Sequence, residues 1–463
     1  MKLTAIFDIG KTNKKFFIFD EKYREVHKSY ARFKEEEDLE GFPCDDLPTI
    51  KNWVEKTLEE SLKTYGEQIT SVNFSTYGAS FVHLDANGKA LTPLINYLKP
   101  FPEELLASFY AKYGTPEAMA KETASPQMGM LNSGMQLYWL KHTHPEVFEK
   151  VRWSLHFPQY LSYLFTGLPV SEYTSIGCHT GLWDFAQNDY HQWVYAEGIN
   201  RVLPPVVTTD TSINTTVFGH KLKVGVGIHD SSSALVPYLQ AERKSFLLVS
   251  TGTWSIALNP YSEAILTKED LRNDCLNFMR PEGQSVKAAR LFLGNEYSLQ
   301  VEKLQQYFGV DKDAHKHVLF DKERYDELLQ QQSLCFRFES LNVERKQPKT
   351  TSLVAFADFE TAYHQLFIEL MELQIAAIQR AVGHTVVEKI YVDGGFADSD
   401  LFVKILALHF PDRKIRATKS PLGSALGAAI VVSDDEVKKK FLKTNYGMRK
   451  IRSRMTRIVN QQP

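Results

Sequence analysis

The stretch Asp8-Ile9-Gly10-Lys11-Thr12-Asn13-Lys14-Lys15 constrains this chain more than any other. It lies between two apolar runs, Leu3 to Phe7 and Phe16 to Phe19, that read as consecutive buried strands joined by a polar tip. Backbone N–H groups in a tight glycine-containing turn converge on an anion, and Thr12, Asn13 and Lys15 add side-chain donors. Asp8, leaving the first strand, aims a carboxylate at the same place. A carboxylate beside a phosphate cradle makes sense when a divalent cation lies between them, because Mg²⁺ takes one or two carboxylates together with phosphate oxygens and water. A surface hairpin with a polar tip would carry the same residues, so the choice falls to the rest of the chain.

At 463 residues the chain is too long for one ordinary core, which predicts two domains of roughly 200 residues each. Its 43% hydrophobic and 24% charged content suits a soluble globular protein. A net charge of −2 gives no pull toward nucleic acid or an anionic membrane. Cys44, Cys178, Cys275 and Cys335 are scattered without metal or disulfide spacing, which predicts a reducing compartment. The N-terminus runs straight into a strand, which predicts no signal peptide, and no apolar run reaches the ~18 residues of a membrane span. The expectation is a cytoplasmic, soluble protein with no nucleic-acid and no membrane partner.

Along the chain, residues 21–47 read as charged and irregular and 49–65 as a helix. A strand over 70–75 enters Thr76-Tyr77-Gly78-Ala79-Ser80, and residues 100–165 read mostly as helices, among them 147–163, with a further helix at 189–198. A short strand ends in His229-Asp230, and Ser231-Ser232-Ser233 opens a helix, so Asp230 sits at a helix N-terminus or merely caps it. The opening logic then repeats: strand 246–250, Thr251-Gly252-Thr253 as a tight turn, strand 254–258. Two such hairpins facing across a cleft could hold the two sides of a polyphosphate. Residues 262–350 read as helices and loops, with a turn at Glu282-Gly283. A long buried helix over 361–382 and a strand over 389–393 follow. Next come Gly394-Gly395, a helix over 398–410, a strand over 414–418 and a small-residue helix over 423–432. The basic stretch 437–457 reads as a solvated helix and tail.

Taken together and in order, these stretches resemble the FGGY carbohydrate kinases of the actin-like ATPase superfamily, over nearly the whole chain. Asp8-Ile-Gly-Lys-Thr-Asn looks like the first phosphate motif, Thr251-Gly-Thr-Trp like the second, and Gly225-Val-Gly-Ile-His-Asp230 like the catalytic-aspartate segment. Asp393-Gly-Gly looks like the adenosine motif and Ser424-Ala-Leu-Gly-Ala-Ala like the closing helix. Within the family the chain looks closest to the L-fuculose and L-rhamnulose kinases, through Thr76-Tyr-Gly-Ala-Ser80, Leu84 to Lys89, Asn132 to Pro145, Tyr163 to Gly167 and Gly252-Thr-Trp254. It departs near Ser80, where relatives usually carry an aspartate, at Gln159, where they often do, and at Lys11, which replaces a small residue. Asp393, Phe396 and Ser399 stand where more glycine and an asparagine are usual.

The resemblance implies an α/β protein of two ribonuclease-H-like, actin-like ATPase domains with an interdomain cleft, divided as 1–238 and 239–463. It implies a kinase moving the γ-phosphoryl of MgATP to a hydroxyl of a ketose, such as L-fuculose or L-rhamnulose. Another pentulose or polyol kinase, or a non-catalytic sugar- and nucleotide-binding relative, stays open. Asp230 is the implied general base, and Asp8 with Asp230 holds Mg²⁺. Thr12, Asn13, Lys15, Thr251, Gly252, Thr253, Gly394, Gly395 and Ser399 contact ATP. Gly78, Ser80, Asn132 and His229 line the sugar. A homodimer stays open as the assembly. A cytoskeletal or chaperone-type ATPase is disfavoured by the polar loops near 76–80 and 127–133, which suit a small polyol.

Overall fold

A computed structural model describes residues 1–341, 347–418, 422–435, 437–438 and 440–451. Side-chain alternation explains its first sheet. In β1 (Leu3–Ile9), Leu3, Ala5, Phe7 and Ile9 join one core while Ile6 joins another on the opposite face. In β2 (Lys14–Asp20), Phe16 and Ile18 go with the first set, Phe17 and Phe19 with the second. β1 pairs antiparallel with β2, β2 with β3 (Glu25–Ala31), and β1 parallel with β4 (Ile69–Thr76). Beyond β4 lie β5 (Ser212–Val217) and β6 (His220–Gly225), and β7 (Ile228–His229) pairs with the end of β4. Helices α1 (Leu47–Tyr65) and α2 (Phe157–Thr166) cover the first face.

The second sheet repeats the plan. Its order is β10 (Cys275–Met279), β11 (Ser285–Leu291), β9 (Ser255–Asn259), β8 (Phe246–Thr251), β12 (Lys389–Gly394), β13 (Lys414–Ala417) and β14 (Arg449–Lys450). As in the first sheet, the opening strand is antiparallel to the next and parallel to the later one. The outer face is covered by helices over Leu293–Phe308, Phe359–Val382 and Asp400–His409.

Between the two sheets lie α3 (Asp230–Ala241) and α4 (Gly423–Val432). Their shared core draws on both halves of the chain: Ile6, Phe17 and Phe19 from one sheet, Leu248 and Tyr391 from the other, and Leu235, Tyr238, Ala425 and Ala429 from the helices. The α/β, two-sheet, actin-like ATPase expectation therefore matches the architecture. Asn73 on β4 reaches across to donate to the Ala428 carbonyl at 2.9 Å.

Several local expectations are corrected. Residues 21–47 contain β3 and the short strands Glu35–Glu37 and Pro43–Asp45. β3 is an edge strand exposed along most of its length, so it carries no apolar alternation to betray it. The helix expected over 147–163 is split by the strand Trp153–His156, and Pro158 starts a new helix at its first turn. The helix expected over 189–198 shrinks to Gln192–Ala196 behind a two-residue strand. Within 262–350, β10 and β11 form an unanticipated hairpin, its tip at Gly283, where φ is +94°. Of the basic stretch 437–457, residues from 452 onward lie outside the described residues.

Candidate active site

The strand parity that builds the core also sorts the lysines of the first hairpin. Asp8 and Lys15 are register partners and share the face of Ile6 and Phe17, which looks toward α3 and α4. Lys15 Nζ stands 3.4 Å from Asp8 Oδ2. Lys14 points the other way and, with Lys11, grips Asp45, each at 2.7 Å; the Tyr77 hydroxyl donates to the same carboxylate at 2.7 Å. Two of the three lysines therefore brace the turn, and one faces the cleft. Thr12 and Asn13 sit exposed at the tip, where Gly10 N–H donates to Asn13 O at 2.9 Å and Asn13 Oδ1 accepts from Arg32 at 3.0 Å.

Asp8 is buried, 6% exposed. Burial raises its carboxyl above the usual carboxylate range; Lys15 and the Ser424 hydroxyl pull it down, and Asp230 pushes it up. Asp230 opens α3 at the helix N-terminus, half-buried, within electrostatic reach of Asp8. Its Oδ1 lies 3.2 Å from His229 Nε2, which is also 3.1 Å from Cys178 Sγ. Burial lowers the His229 ring below its ordinary value, against the pull of Asp230 and Glu172. Cys178 stays a thiol, pushed well up by burial and then by Asp230.

Around this pair the loops are bent hard. Ala79 has φ +64° and His179 φ +42°, both in the left-handed region that non-glycine residues adopt only when surroundings hold them there. Gln136 holds Ala79 through its carbonyl, and His179 Nδ1 contacts Leu131 O at 3.0 Å. A Cβ on Gly78 would come 2.7 Å from Cys178 Sγ and 3.1 Å from the His229 ring, so only glycine fits there. Ser80 is buried and donates to Ile95 O at 3.2 Å. Asn132 spends its amide on the loops, donating to His179 O and accepting from Met128 N–H, both at 2.7 Å. The structure thus brings Gly78, His229 and Asp230 together, while Ser80 and Asn132 brace the loops around them.

The second hairpin closes the other side. Thr251 Oγ1 donates to Asp393 O at 2.5 Å and accepts from Phe396 N–H at 3.0 Å, tying the Gly394-Gly395 turn to the strand end. Gly394, at φ +82°, lies so close to Thr251 O that no Cβ could be accommodated, and Gly294 packs as tightly on Gly252 O. Gly252, Thr253, Gly395 and Ser399 line a cavity of about 630 Å³, together with Tyr297 and Phe396. Ser399 caps the helix behind it, accepting from Phe402 N–H at 3.3 Å.

The start of α4 lies near both hairpins: the Ser424 hydroxyl stabilises the Asp8 carboxylate, and a Cβ on the neighbouring Gly423 would come 3.7 Å from Asp393 Oδ2, whose residue accepts from Thr251 through its carbonyl. Residues the sequence reading left out also face this space. Tyr97, raised by burial and by Asp230, packs edge-on against Tyr77. Arg290, paired with Asp274 at 2.8 Å, lies over the Trp254 ring and touches Met128 Sδ at 3.2 Å. Neither follows a local pattern; only the fold places them.

Among the described residues no group of three or more His, Cys, Asp or Glu side chains could hold a metal ion. Asp8 and Asp230 offer a hard-oxygen pair beside a cleft, which fits Mg²⁺ bound jointly with phosphate oxygens.

Residues 3–235 match the FGGY family of carbohydrate kinases, N-terminal domain, and residues 243–440 match the carbohydrate kinase FGGY, C-terminal domain. The chain belongs to the FGGY family of carbohydrate kinases. It is 26% identical over 233 residues to a rhamnulokinase of Oceanobacillus iheyensis, covering 47% of each chain. It is 27% identical over 267 residues to one of Halalkalibacterium halodurans, covering 54% of this chain and 52% of that one. The matches span about half the length of these curated relatives. Among solved structures it superposes on a carbohydrate kinase from Novosphingobium aromaticivorans with a TM-score of 0.77 at 22% identity, covering 97% and 96% of the two chains. A ligand-bound xylulose kinase from Lactobacillus acidophilus gives 0.75 at 14% identity, covering 98% and 93%. These likenesses carry the FGGY fold. No helix among the described residues is long and apolar enough to cross a membrane.

Proposed function

We propose that this FGGY protein is an ATP-dependent sugar kinase that phosphorylates a hydroxyl of a ketose, with a deoxyketohexose such as L-rhamnulose or L-fuculose as the first candidate. The observation that carries it is the meeting of Asp8 and Asp230: two acids from separate elements, within electrostatic reach of each other, near glycine turns of both sheets. The rhamnulokinase relatives support the sugar class. The division of labour is 1–238 for the sugar, the first hairpin and the base, and 239–463 for the nucleotide.

In this scheme Thr12, Asn13 and Lys15 meet the β- and γ-phosphates from one side, Thr251, Gly252 and Thr253 from the other. Gly394, Gly395 and Ser399 line the adenosine pocket. Mg²⁺ held by Asp8 and Asp230 would supply charge neutralisation on the phosphates. Gly78 and His229 flank the sugar, with Ser80 and Asn132 shaping its loop. Asp230 takes the hydroxyl proton as the oxygen attacks phosphorus. A positioned base of this kind contributes ~10²–10⁴-fold, and positioning and electrostatics supply most of the rest. The closed cleft excludes water, the competing nucleophile.

The test is ADP release measured by a coupled assay over L-rhamnulose, L-fuculose, L-ribulose, xylulose and glycerol. The expected result is stimulation by a deoxyketohexose. Asp230→Asn should lower turnover at least about 100-fold while nucleotide binding survives. Near-normal turnover in that variant removes Asp230 as the base, and no stimulation by any sugar favours a non-catalytic relative.

A further inference from the structure

Glu172 is fully buried, yet among the described residues no lysine or arginine forms an ion pair with it. It is held instead by neutral donors: Ser175 N–H at 2.6 Å, Thr174 N–H at 2.7 Å, Thr209 Oγ1 at 2.5 Å, Gln159 Nε2 at 3.4 Å and the Thr174 hydroxyl at 2.8 Å. A buried carboxylate is retained at such cost only where its bonds are made, and each is charge-assisted. One partner leads elsewhere. The Thr174 oxygen also accepts from the backbone N–H of His229 at 3.0 Å. A hydroxyl has one proton and two lone pairs. Because a carboxylate can only accept, Glu172 draws that proton to itself and turns a lone pair of Thr174 toward His229.

Other bonds fix the rest of this elbow, one of them from the same Gln159 amide that reaches Glu172. Gly227 N–H donates to Asn73 Oδ1 at 3.1 Å, and Gln159 Nε2 donates to Val226 O at 3.2 Å. Residues 228–229 pair with the end of β4. The backbone N–H of His229, the residue before Asp230, is the donor that Thr174 takes. We propose that Glu172, acting through the Thr174 hydroxyl, is a positioning residue that sets the His229–Asp230 turn and so the direction of the Asp230 carboxylate. The catalytic consequence rests on the kinase function proposed above; the positioning itself does not.

Thr174→Val keeps shape and deletes both bonds of the hydroxyl. It should lower kcat for sugar-dependent ADP release about 10- to 100-fold, the scale of a small misplacement of a reacting group, with KM for ATP unchanged. Thr174→Ser should restore kcat. Thr209→Val removes another Glu172 donor without touching His229, and should keep wild-type kcat. Hydrogen exchange over residues 226–232 should quicken in Thr174→Val and not in Thr209→Val. Wild-type kcat and exchange in Thr174→Val overturn the proposal, as does an equal loss in both variants, which would make the cluster mere packing. Should the valine variant not fold, Thr174→Ala is judged by the same criteria. If the wild type releases no ADP with any sugar, the kinase function fails while the exchange comparison still decides the positioning.

Discussion

Asp8 illustrates how a single residue at this site sets stability against use. Burial raises its carboxyl, and Lys15 at 3.4 Å with the Ser424 hydroxyl offsets that only partly, while Asp230 adds to it. A carboxyl raised in the folded state binds its proton more tightly there than in the unfolded chain. The stability it contributes is therefore present at low pH and is lost as pH rises through the raised value. Once ionised, the group is a net burden when no cation is bound. Asp8→Asn keeps the shape and removes the charge. The expected outcome is a higher Tm at pH 7, with sugar-dependent ADP release at least about 100-fold lower, since the carboxylate proposed to hold Mg²⁺ is gone. Adding Mg²⁺ with ADP should raise the wild-type Tm more than that of the variant. A variant that is both less stable and fully active would mean that Asp8 is a structural acid paired with Lys15.

At the scale of elements, the crossing of α3 and α4 decides how the halves meet. Gly427 packs its bare Cα against Ser233 O so closely that a Cβ could not be placed, and Ser233 Oγ donates to Ser424 O at 2.6 Å. The obstacle is backbone, which cannot swing aside. Gly427→Ala should therefore destabilise by about 1–3 kcal/mol, against the small gain alanine brings to an ordinary helix interior; a denaturant titration at constant m-value measures it. A neutral or stabilising result would mean the helices slide apart without cost. The small-residue run Gly423 to Val432 announced this contact from sequence, as the two Gly/Thr turns announced the repeated sheet plan. Local chemistry made those elements legible: parity in Leu3–Ile9, turn glycines, an apolar 24-residue helix at Phe359–Val382. β3 and the β10–β11 hairpin were not legible, because an exposed edge strand has no burial pattern and a continuously buried strand has no alternation. The site divides the same way. Asp8, Asp230 and the glycines announce themselves by motif, whereas the approach of Tyr97 to Asp230, of Arg290 to Met128 and of Thr174 to His229 joins residues 55 to 162 apart in sequence, which no local window contains.

For the whole molecule, the layer between the sheets argues against two independently folding halves. Ile6, Phe17 and Phe19 from one sheet share a core with α3 and α4, and Leu248 and Tyr391 join the same core from the other sheet. α4 follows all but the last strand of the second sheet in sequence but also packs on β1 and β4 of the first. Separating residues 1–238 from the remainder would expose apolar surface on both pieces, at about 25 cal/mol per Å². Chains of this length commonly unfold domain by domain; here the shared layer predicts one calorimetric transition. ADP provides the discriminating probe, because the cavity of about 630 Å³ is lined wholly by residues of the second half. If the halves melt together, ADP at 100-fold over its Kd should shift the entire transition, in proportion to about 2.7 kcal/mol of linkage. If they melt apart, one of two transitions should move and the other should stay where it was. The second outcome would mean that α3 and α4 act as a greased joint between separate bodies, and that closure of the cleft costs little packing. The first would mean that the cleft opens and shuts by bending around a common core, so that nucleotide and sugar act on one cooperative unit.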